Sequence, residues 1–191
     1  MNIVESIIES GLKEVGAVSG MEPDMNSPVL GMHLWGWMSP DELSWLYEQA
    51  KTMTNIVEIG SLVGRSSFAL LSGCLGPVYC IDPWTDDALR QFMSGVGHFP
   101  NLVAIRACSP DAGRQVPGEI DMVFVDGNHD YESCKADLEY WFPRTKKLIC
   151  GHDYTHPGYP GVRQSVDEFF GKLGLKVEIL EDGSIWIVRL T

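Results

Sequence analysis

The chain has 191 residues, of which 45% are hydrophobic and 21% are charged, so it is long enough for one domain with a buried core and too apolar for extensive disorder. Its formal net charge is −12, because it has 14 Lys and Arg residues against 26 Asp and Glu residues. This acidity argues against nucleic acid or an anionic membrane as the main partner, since both are bound by basic surfaces.

The first part of the chain, residues 1–54, is predicted to form a helical cap and lid segment. Apolar residues at helical spacing predict an amphipathic helix over residues 2–15. Residues 16–38 are rich in Gly, Pro and Met, which predicts irregular chain. The motif Ser39-Pro-Asp-Glu42 has the pattern of a capping box with proline at the first helical position, and it predicts a helix to about Lys51.

Strands and helices alternate in the rest of the chain, residues 55–191. Short apolar runs predict strands at 55–60, 77–82, 102–107, 120–126 and 147–152, and helical patterns are found at 65–75, 86–95, 131–141 and 162–173. Two β-rich runs, 176–180 and 184–190, flank an Asp-Gly turn and predict a terminal hairpin. This order predicts an α/β fold with a doubly wound, mostly parallel sheet, to which the hairpin adds an antiparallel strand at or near one edge.

Cysteine usage and targeting signals indicate a cytoplasmic protein. Five cysteines without a CxxC pair predict neither a disulfide framework nor a zinc site. The N-terminus is acidic and does not resemble a signal peptide, and no segment reaches the ~20 apolar residues that a membrane span needs. We therefore expect no membrane partner.

A glycine turn follows the first strand, with the pattern Glu58-x-Gly60-x-x-x-Gly64. It has neither the GxGxxG pattern of dinucleotide sites nor the GxxxxGK[ST] pattern of nucleoside triphosphate sites. The helix that follows offers unpaired N–H groups at its start, and an acidic residue before the first glycine suits a cofactor with a cationic amino-acid end and no phosphate. The turn residues expected to contact such a cofactor are Glu58, Gly60, Ser61, Gly64 and Ser66.

Asp82 ends the second strand, where a carboxylate can bridge both hydroxyl groups of a ribose. NAD sites use the same arrangement, so Asp82 by itself does not distinguish a site for the phosphate-free cofactor from a site for NAD. Trp84 follows closely, and it either stacks on an adenine ring or packs in the core. The sequence leaves both roles of Trp84 open.

Four segments occur in order along the chain: VEIGSLVGRSS, CIDPW, VFVDGNHDYESCKADLEYW and GHDY. Together they resemble the class I SAM-dependent methyltransferases, and most closely the small-molecule branch with a DGxHxY signature, which includes catechol-type and macrolide-sugar O-methyltransferases. The resemblance covers about residues 50–190. It implies S-adenosylmethionine as cofactor and a seven-stranded, Rossmann-like sheet with a C-terminal hairpin. It also implies that Cys108 and Ser109 lie near the adenine.

Polar residues follow the fourth and fifth strands. Asp126 ends the fourth strand, and His152 and Asp153 end the fifth. Because neighbouring parallel strands lie ~5 Å apart, these side chains can converge on a divalent cation, either Mg²⁺ or, with a histidine ligand, Mn²⁺. The resemblance implies metal ligands at the same two strand ends. In those methyltransferases an acidic pair or an Asp-Asn pair follows the fifth strand, whereas this chain has His152 at the first of the two positions.

Without a metal, His129 is the natural general base beside Asp126, because its pKa lies near working pH. Both residues are therefore catalytic candidates. Helix or turn capping is the alternative role for His129 and for the pair of residues after the fifth strand. Asp137 is expected to cap or pair on the helix surface, and Tyr159 is expected to lie in a loop.

These patterns and the resemblance together predict a SAM-dependent methyltransferase that O-methylates a small hydroxylated molecule, either with or without a divalent cation. Two alternatives stay open. The short N-terminal cap is compatible with a non-catalytic SAM-binding module. The second alternative is a nucleotide-dependent oxidoreductase on a related fold, which the absence of the GxGxxG glycines disfavours. A homodimer formed through the N-terminal helix is a further expectation.

Overall fold

The structure is a computed structural model that describes residues 28–181 and 183–190. The helix predicted at 2–15, most of the predicted lid and Asp182 of the predicted turn lie outside the described residues, so those predictions stay predictions. Within the described ranges, no helix is both long and apolar enough to cross a membrane.

A seven-stranded sheet forms the centre of the molecule. Its strands are β1 (Ile56–Ile59), β2 (Val78–Asp82), β3 (Leu102–Arg106), β4 (Ile120–Val125), β5 (Thr145–Gly151), β6 (Glu178–Ile179) and β7 (Trp186–Arg189). They are arranged in the order β3-β2-β1-β4-β5-β7-β6. Strands β1 to β5 are parallel, and β7 runs antiparallel to both β5 and β6. The predicted α/β fold, with its antiparallel hairpin strand near one edge, is therefore confirmed.

In the part of the chain that the structure describes, five helices cover the two faces of the sheet. They are α1 (Pro40–Ala50), α2 (Arg65–Gly73), α3 (Asp86–Val96), α4 (Tyr131–Trp141) and α5 (Pro160–Lys172). Helices α1, α2 and α3 share one hydrophobic cluster with the sheet, and α4 and α5 share the cluster on the other face. Residues 28–190 without Asp182 also contain three short 3-10 helices that were not predicted, at Pro28–His33, Asp111–Gln115 and Phe142–Arg144.

The capping box predicted before α1 is present. The Ser39 hydroxyl accepts a hydrogen bond from the Glu42 backbone N–H, and Glu42 Oε2 accepts one from the Ser39 backbone N–H. Leu43 and Leu46 of α1 are fully buried in the cluster that also contains Phe68 of α2. The described part of the predicted cap is therefore packed into the same core as the sheet.

The strand register brings the carboxyl ends of four strands to one edge of the sheet. Ile59 pairs with Ile81 of β2 and with Val125 of β4, and Val125 pairs with Gly151 of β5. The residues that follow these positions therefore emerge side by side at the carboxyl edge, where open α/β sheets bind their ligands.

Candidate functional site

A cavity of about 1000 Å³ opens at this edge of the sheet. It brings together most of the residues that the sequence singled out. Those on its wall are Gly60, Ser61, Ser66, Asp82, Cys108, Ser109, Asp126, His129, His152 and Asp153. Three others, Glu58, Gly64 and Trp84, do not line it. The cavity has a half beside the glycine turn and a half beside the ends of β4 and β5.

Gly60 is the point at which the ends of β1 and β4 touch. Its φ is +87°, and a Cβ added there would lie 1.9 Å from the backbone oxygen of Asp126. The Gly60 N–H donates to Ile81 O at 2.8 Å, and the Asp126 N–H donates to Ile59 O at 2.8 Å. Only glycine satisfies both the left-handed conformation and this close approach.

Glu58 supports the turn from behind instead of facing the cavity. The side chain is fully buried, and its carboxylate accepts hydrogen bonds from Ser61 Oγ at 2.6 Å, Ser66 Oγ at 2.5 Å and Ser67 Oγ. Burial raises the pKa of Glu58, although these hydrogen bonds oppose the rise. Any pairing of Glu58 with a cofactor ammonium would therefore run through the backbone or a water molecule, and the residue fixes two serines that do line the cavity.

Asp82 lies on the cavity wall next to the turn. Its Oδ2 accepts from the Leu62 N–H at 3.0 Å and its Oδ1 accepts from the Trp84 N–H at 2.8 Å. Burial raises the pKa of this carboxyl group, and the two hydrogen bonds counteract it. Each oxygen can accept a further hydrogen bond, which is what a ribose diol requires.

Trp84 is placed in the core, which corrects the adenine-stacking alternative. Its ring is 3% exposed and packs on Phe92 with ring centroids 4.6 Å apart. The indole Nε1–H donates to Leu62 O at 2.6 Å. The side chain therefore braces the turn between Leu62 and α3 and leaves no ring face towards the cavity.

Asp137 is a wall residue that the sequence analysis placed on the helix surface, and the structure corrects this. It is 4% exposed, and its Oδ1 accepts from Ser109 Oγ at 2.5 Å. Ser109 in turn accepts from Trp141 Nε1 at 2.8 Å. Burial raises the pKa of Asp137 to about 6, against the effect of the serine hydrogen bond. Helical spacing from the buried Cys134 and Trp141 is the signal that places this carboxylate on the inner face.

The second half of the cavity contains the predicted metal triad. One ligand atom from each of Asp126, His152 and Asp153 lies within 4.8 Å of the other two. His152 Nδ1 is 3.4 Å from Asp153 Oδ1 and 3.9 Å from Asp126 Oδ1. Asp153 has a φ of 60°, a left-handed conformation that is costly for a residue other than glycine and is typical of functional sites.

His129 borders the triad. Its Nε2 atom lies 3.0 Å from Asp153 Oδ2 and 3.8 Å from Asp126 Oδ1, yet among the described residues this buried nitrogen has no partner in hydrogen-bond geometry. Asp126 and Asp153 raise the pKa of His129 to about 9. The imidazole is therefore protonated at neutral pH in the metal-free protein, which weakens the general-base alternative.

Glu42 joins the site from α1, and no signal in the sequence placed it there. His152 Nε2 lies 3.1 Å from Glu42 Oε1. Burial raises the pKa of Glu42, but hydrogen bonds from His152, Ser184 and Ser39 outweigh it and lower the pKa to about 2. Burial lowers the pKa of His152, but Asp153 and Glu42 outweigh it and raise the pKa to about 10. The site is thus a connected network of carboxylates and imidazoles.

The donor set of the triad fits a divalent cation. Two carboxylate oxygens and one imidazole nitrogen point into a common space, and they are the ligand types that Mn²⁺ and related ions bind. His129 Nε2 lies beside them, 3.0 Å from Asp153 Oδ2 but without a partner in hydrogen-bond geometry among the described residues. The ligand types at the triad and the short distances between them are compatible with a metal site.

Aromatic residues form the mouth of the cavity. Trp35 and Trp37 contact each other edge to face with centroids 4.3 Å apart, and Trp37 is 74% exposed. Tyr159 also lines the cavity, where it is stacked between His129 and His156 at 4.2 and 4.3 Å. Tyr159 is thus part of the wall and in contact with the histidine that borders the triad.

Arg65, the first residue of α2, holds the tryptophan-bearing segment. Its guanidinium donates to Leu34 O at 3.0 Å and to Met38 O at 2.7 and 3.0 Å. The N–H donors of this side chain are therefore engaged by backbone carbonyls. Among the described wall residues the carboxylates are Glu42, Asp82, Asp126, Asp137 and Asp153, and Arg65 is the single Lys or Arg. Carboxylates therefore outnumber the basic side chains on the described wall, even when the protonated His129 and His152 are counted with Arg65.

Residues 57–154 match the family described as a methyltransferase domain. No curated protein matches the chain. Among solved structures, the chain is similar to cofactor-bound Rv0187 from MTB, with 16% identity, a TM-score of 0.70, and 98% and 95% of the two chains covered. It is also similar to the SAH-bound methyltransferase PaMTH1 of Podospora anserina, with 18% identity, a TM-score of 0.65, and 100% and 97% covered. An O-methyltransferase from Bacillus cereus in complex with SAH has 15% identity and a TM-score of 0.59, with 97% and 90% covered.

Proposed function

Because the chain belongs to the methyltransferase domain family, we propose that it binds S-adenosylmethionine in the cavity and transfers the methyl group to a hydroxyl oxygen of a small molecule. The observation that carries this proposal is that one cavity joins the glycine turn and Asp82 to the cluster formed by Asp126, His152 and Asp153. The first half suits an adenosyl cofactor, and the second suits activation of an oxygen nucleophile.

The cofactor supplies an electrophilic methyl group, so the protein has to bind and align it. Gly60 allows close approach to the main chain, and the oxygens of Asp82 are placed to accept from the two ribose hydroxyls. Cys108 and Ser109 line the wall where the base would lie. The SAH bound to the Podospora and Bacillus proteins, whose fold this chain shares, supports the choice of cofactor.

The residues that would hold a divalent cation are Asp126, His152 and Asp153. Such an ion supplies Lewis acidity, which lowers the pKa of an acceptor hydroxyl and fixes its position. The chain's own contribution is alignment, since methyl transfer is a displacement that depends on the geometry of the two reactants. Trp35 and Tyr159 would shield the acceptor from water at the cavity mouth.

The charge of the wall limits the class of acceptor. A phosphate or carboxylate on the acceptor would meet several carboxylates, whose charge the protonated His129 offsets only in part, and an Arg65 side chain whose donors already bind backbone carbonyls. Juxtaposed like charges cost several kcal/mol in a site of this kind, on the order of 3 kcal/mol. We therefore expect neutral or cationic hydroxylated acceptors and not nucleotide-linked ones.

Methyl transfer with isotope-labelled S-adenosylmethionine tests the proposal. The acceptors would be neutral vicinal diols, such as a catechol and a hexose, and the same catechol unit carried as a coenzyme A thioester. With Mn²⁺ we expect label on a neutral diol, less than a tenth of that rate on the phosphate-bearing thioester, and loss of transfer on adding chelator.

Each departure from this pattern has a distinct meaning. Transfer that a chelator leaves unchanged would rule out the metal and favour His129. S-adenosylhomocysteine binding without transfer to any acceptor would favour the non-catalytic binding module. Binding of NAD⁺ in place of S-adenosylhomocysteine would contradict the proposal and support the oxidoreductase alternative.

A further inference from the structure

The Glu42 carboxylate makes more contacts than a helix cap requires. Its Oε2 accepts from the Ser39 N–H at 2.8 Å and from Ser39 Oγ at 3.0 Å, which completes the capping box. Its Oε1 accepts from the Ser184 N–H at 2.8 Å and lies 3.1 Å from His152 Nε2. The side chain is only 4% exposed. One carboxylate therefore joins α1, the end of β5 and the loop before β7.

A histidine binds a metal ion as the neutral ring, and in the neutral ring these contacts determine which nitrogen of His152 carries hydrogen. An ionised carboxylate only accepts hydrogen bonds, so the Nε2 atom facing Glu42 has to be the donor. In the neutral ring the lone pair then belongs to Nδ1. Nδ1 is the atom that faces the carboxylates of Asp126 and Asp153.

The surrounding chain keeps Glu42 in this place. A Cβ added to Gly183 would lie 3.2 Å from Glu42 Oε1, so a small residue in the loop allows the Ser184 N–H to reach the carboxylate. On the other side the capping box holds Oε2. The carboxylate is thus constrained from both ends, as a residue that orients a metal ligand has to be.

We propose that Glu42 is a positioning residue that presents the Nδ1 lone pair of His152 to a divalent cation shared with Asp126 and Asp153. Metal-binding histidines commonly donate their second N–H to a carboxylate, which fixes the ring and its tautomer, and loss of that carboxylate weakens metal binding. The inference rests on the proposed function, because it requires the cation.

The test is the affinity of the full-length protein for Mn²⁺, measured by calorimetry for the wild type and for Glu42→Gln. The amide has one acceptor atom where the carboxylate has two, so it either accepts weakly from His152 or turns its NH₂ towards Nε2 and forces the hydrogen onto Nδ1. We expect the Mn²⁺ dissociation constant to rise about 10- to 100-fold. Binding of S-adenosylhomocysteine should stay unchanged.

Ser39→Ala is the matched control, because it removes only the cap hydroxyl: the Ser39 backbone N–H still holds Glu42 Oε2 at 2.8 Å, and the contact between Glu42 and His152 stays in place. We expect this variant to lower Tm and to change the Mn²⁺ affinity by less than about twofold. Wild-type affinity in Glu42→Gln, or an equal loss in Ser39→Ala, would overturn the positioning role. If Glu42→Gln does not fold, Glu42→Asp keeps the charge, shortens its reach by one methylene and is expected to show the same loss.

The wild-type titration separates this inference from the proposed function. A wild-type protein that binds S-adenosylhomocysteine but not Mn²⁺ contradicts the metal in the proposed function, and the role of Glu42 with it. A wild-type protein that binds Mn²⁺ as tightly as Glu42→Gln contradicts the role of Glu42 alone.

Discussion

Replacing Asp153 by asparagine is expected to reduce methyl transfer by about 10³-fold and to remove its dependence on Mn²⁺. The substitution keeps the shape of the side chain, and asparagine tolerates the left-handed φ of 60° at this position. What it removes is one anionic ligand of the triad, and a metal acting as a Lewis acid contributes several kcal/mol, about 4 kcal/mol for a 10³-fold rate effect. The rate with labelled S-adenosylmethionine, measured at several Mn²⁺ concentrations, checks this expectation.

A surface aspartate provides the control for that experiment. Asp87 lies on α3, where its exposed carboxylate pairs with Arg90 at 3.1 Å, and Asp87→Asn is expected to transfer methyl groups at the wild-type rate. Both variants should bind S-adenosylhomocysteine normally, since neither alters the glycine turn. Wild-type activity in Asp153→Asn would show that this carboxylate does not take part in the reaction.

Gly60→Ala is expected to destabilise the protein by on the order of 3 kcal/mol or more. The added methyl group would lie 1.9 Å from the backbone oxygen of Asp126, so β1 and β4 would have to move apart at the centre of the site. For a chain of this length the loss corresponds to a fall in Tm of about 10 °C. Thermal unfolding with and without S-adenosylhomocysteine checks it, and the variant should also lose stabilisation by that ligand.

Gly174→Ala separates the clash from the backbone conformation. Gly174 also has a left-handed φ, +67°, but an added Cβ would meet nothing within 4 Å. Its replacement should lower the free energy of unfolding only by the cost of holding alanine in the left-handed conformation, about 1–2 kcal/mol. Equal falls in Tm for the two variants would mean that the clash of the added methyl group with Asp126 does not contribute to the loss of stability.

The sheet and the placement of the strand-end residues were predictable because they follow from local patterns. Apolar runs that end at Gly60, Asp82 and Asp126 predict parallel strands, and parallel strands present their carboxyl ends at one edge. The register of β1, β2, β4 and β5 shows how this happens. No side-chain detail was needed for this part of the prediction.

The roles of individual side chains depended on packing that no local pattern encodes. Trp84 lies in the core because its indole N–H finds the carbonyl of Leu62 and its ring finds Phe92. Glu42 satisfies a capping box, so its sequence context was already explained, and its second partner lies 110 residues away in the chain. Such contacts are set by the docking of α1 against the end of β5, which only the tertiary structure shows.

We propose that a SAM-type cofactor and a divalent cation occupy the two halves of one cavity. Crystals grown with S-adenosylhomocysteine and Mn²⁺, with diffraction recorded near the manganese absorption edge, would show both at once. We expect an anomalous peak bonded to Asp126, His152 Nδ1 and Asp153, and a nucleoside whose ribose lies on Asp82. An S-adenosylhomocysteine molecule bound outside the cavity, or a cavity with the ligand and no manganese peak at the triad, would show that this arrangement is wrong.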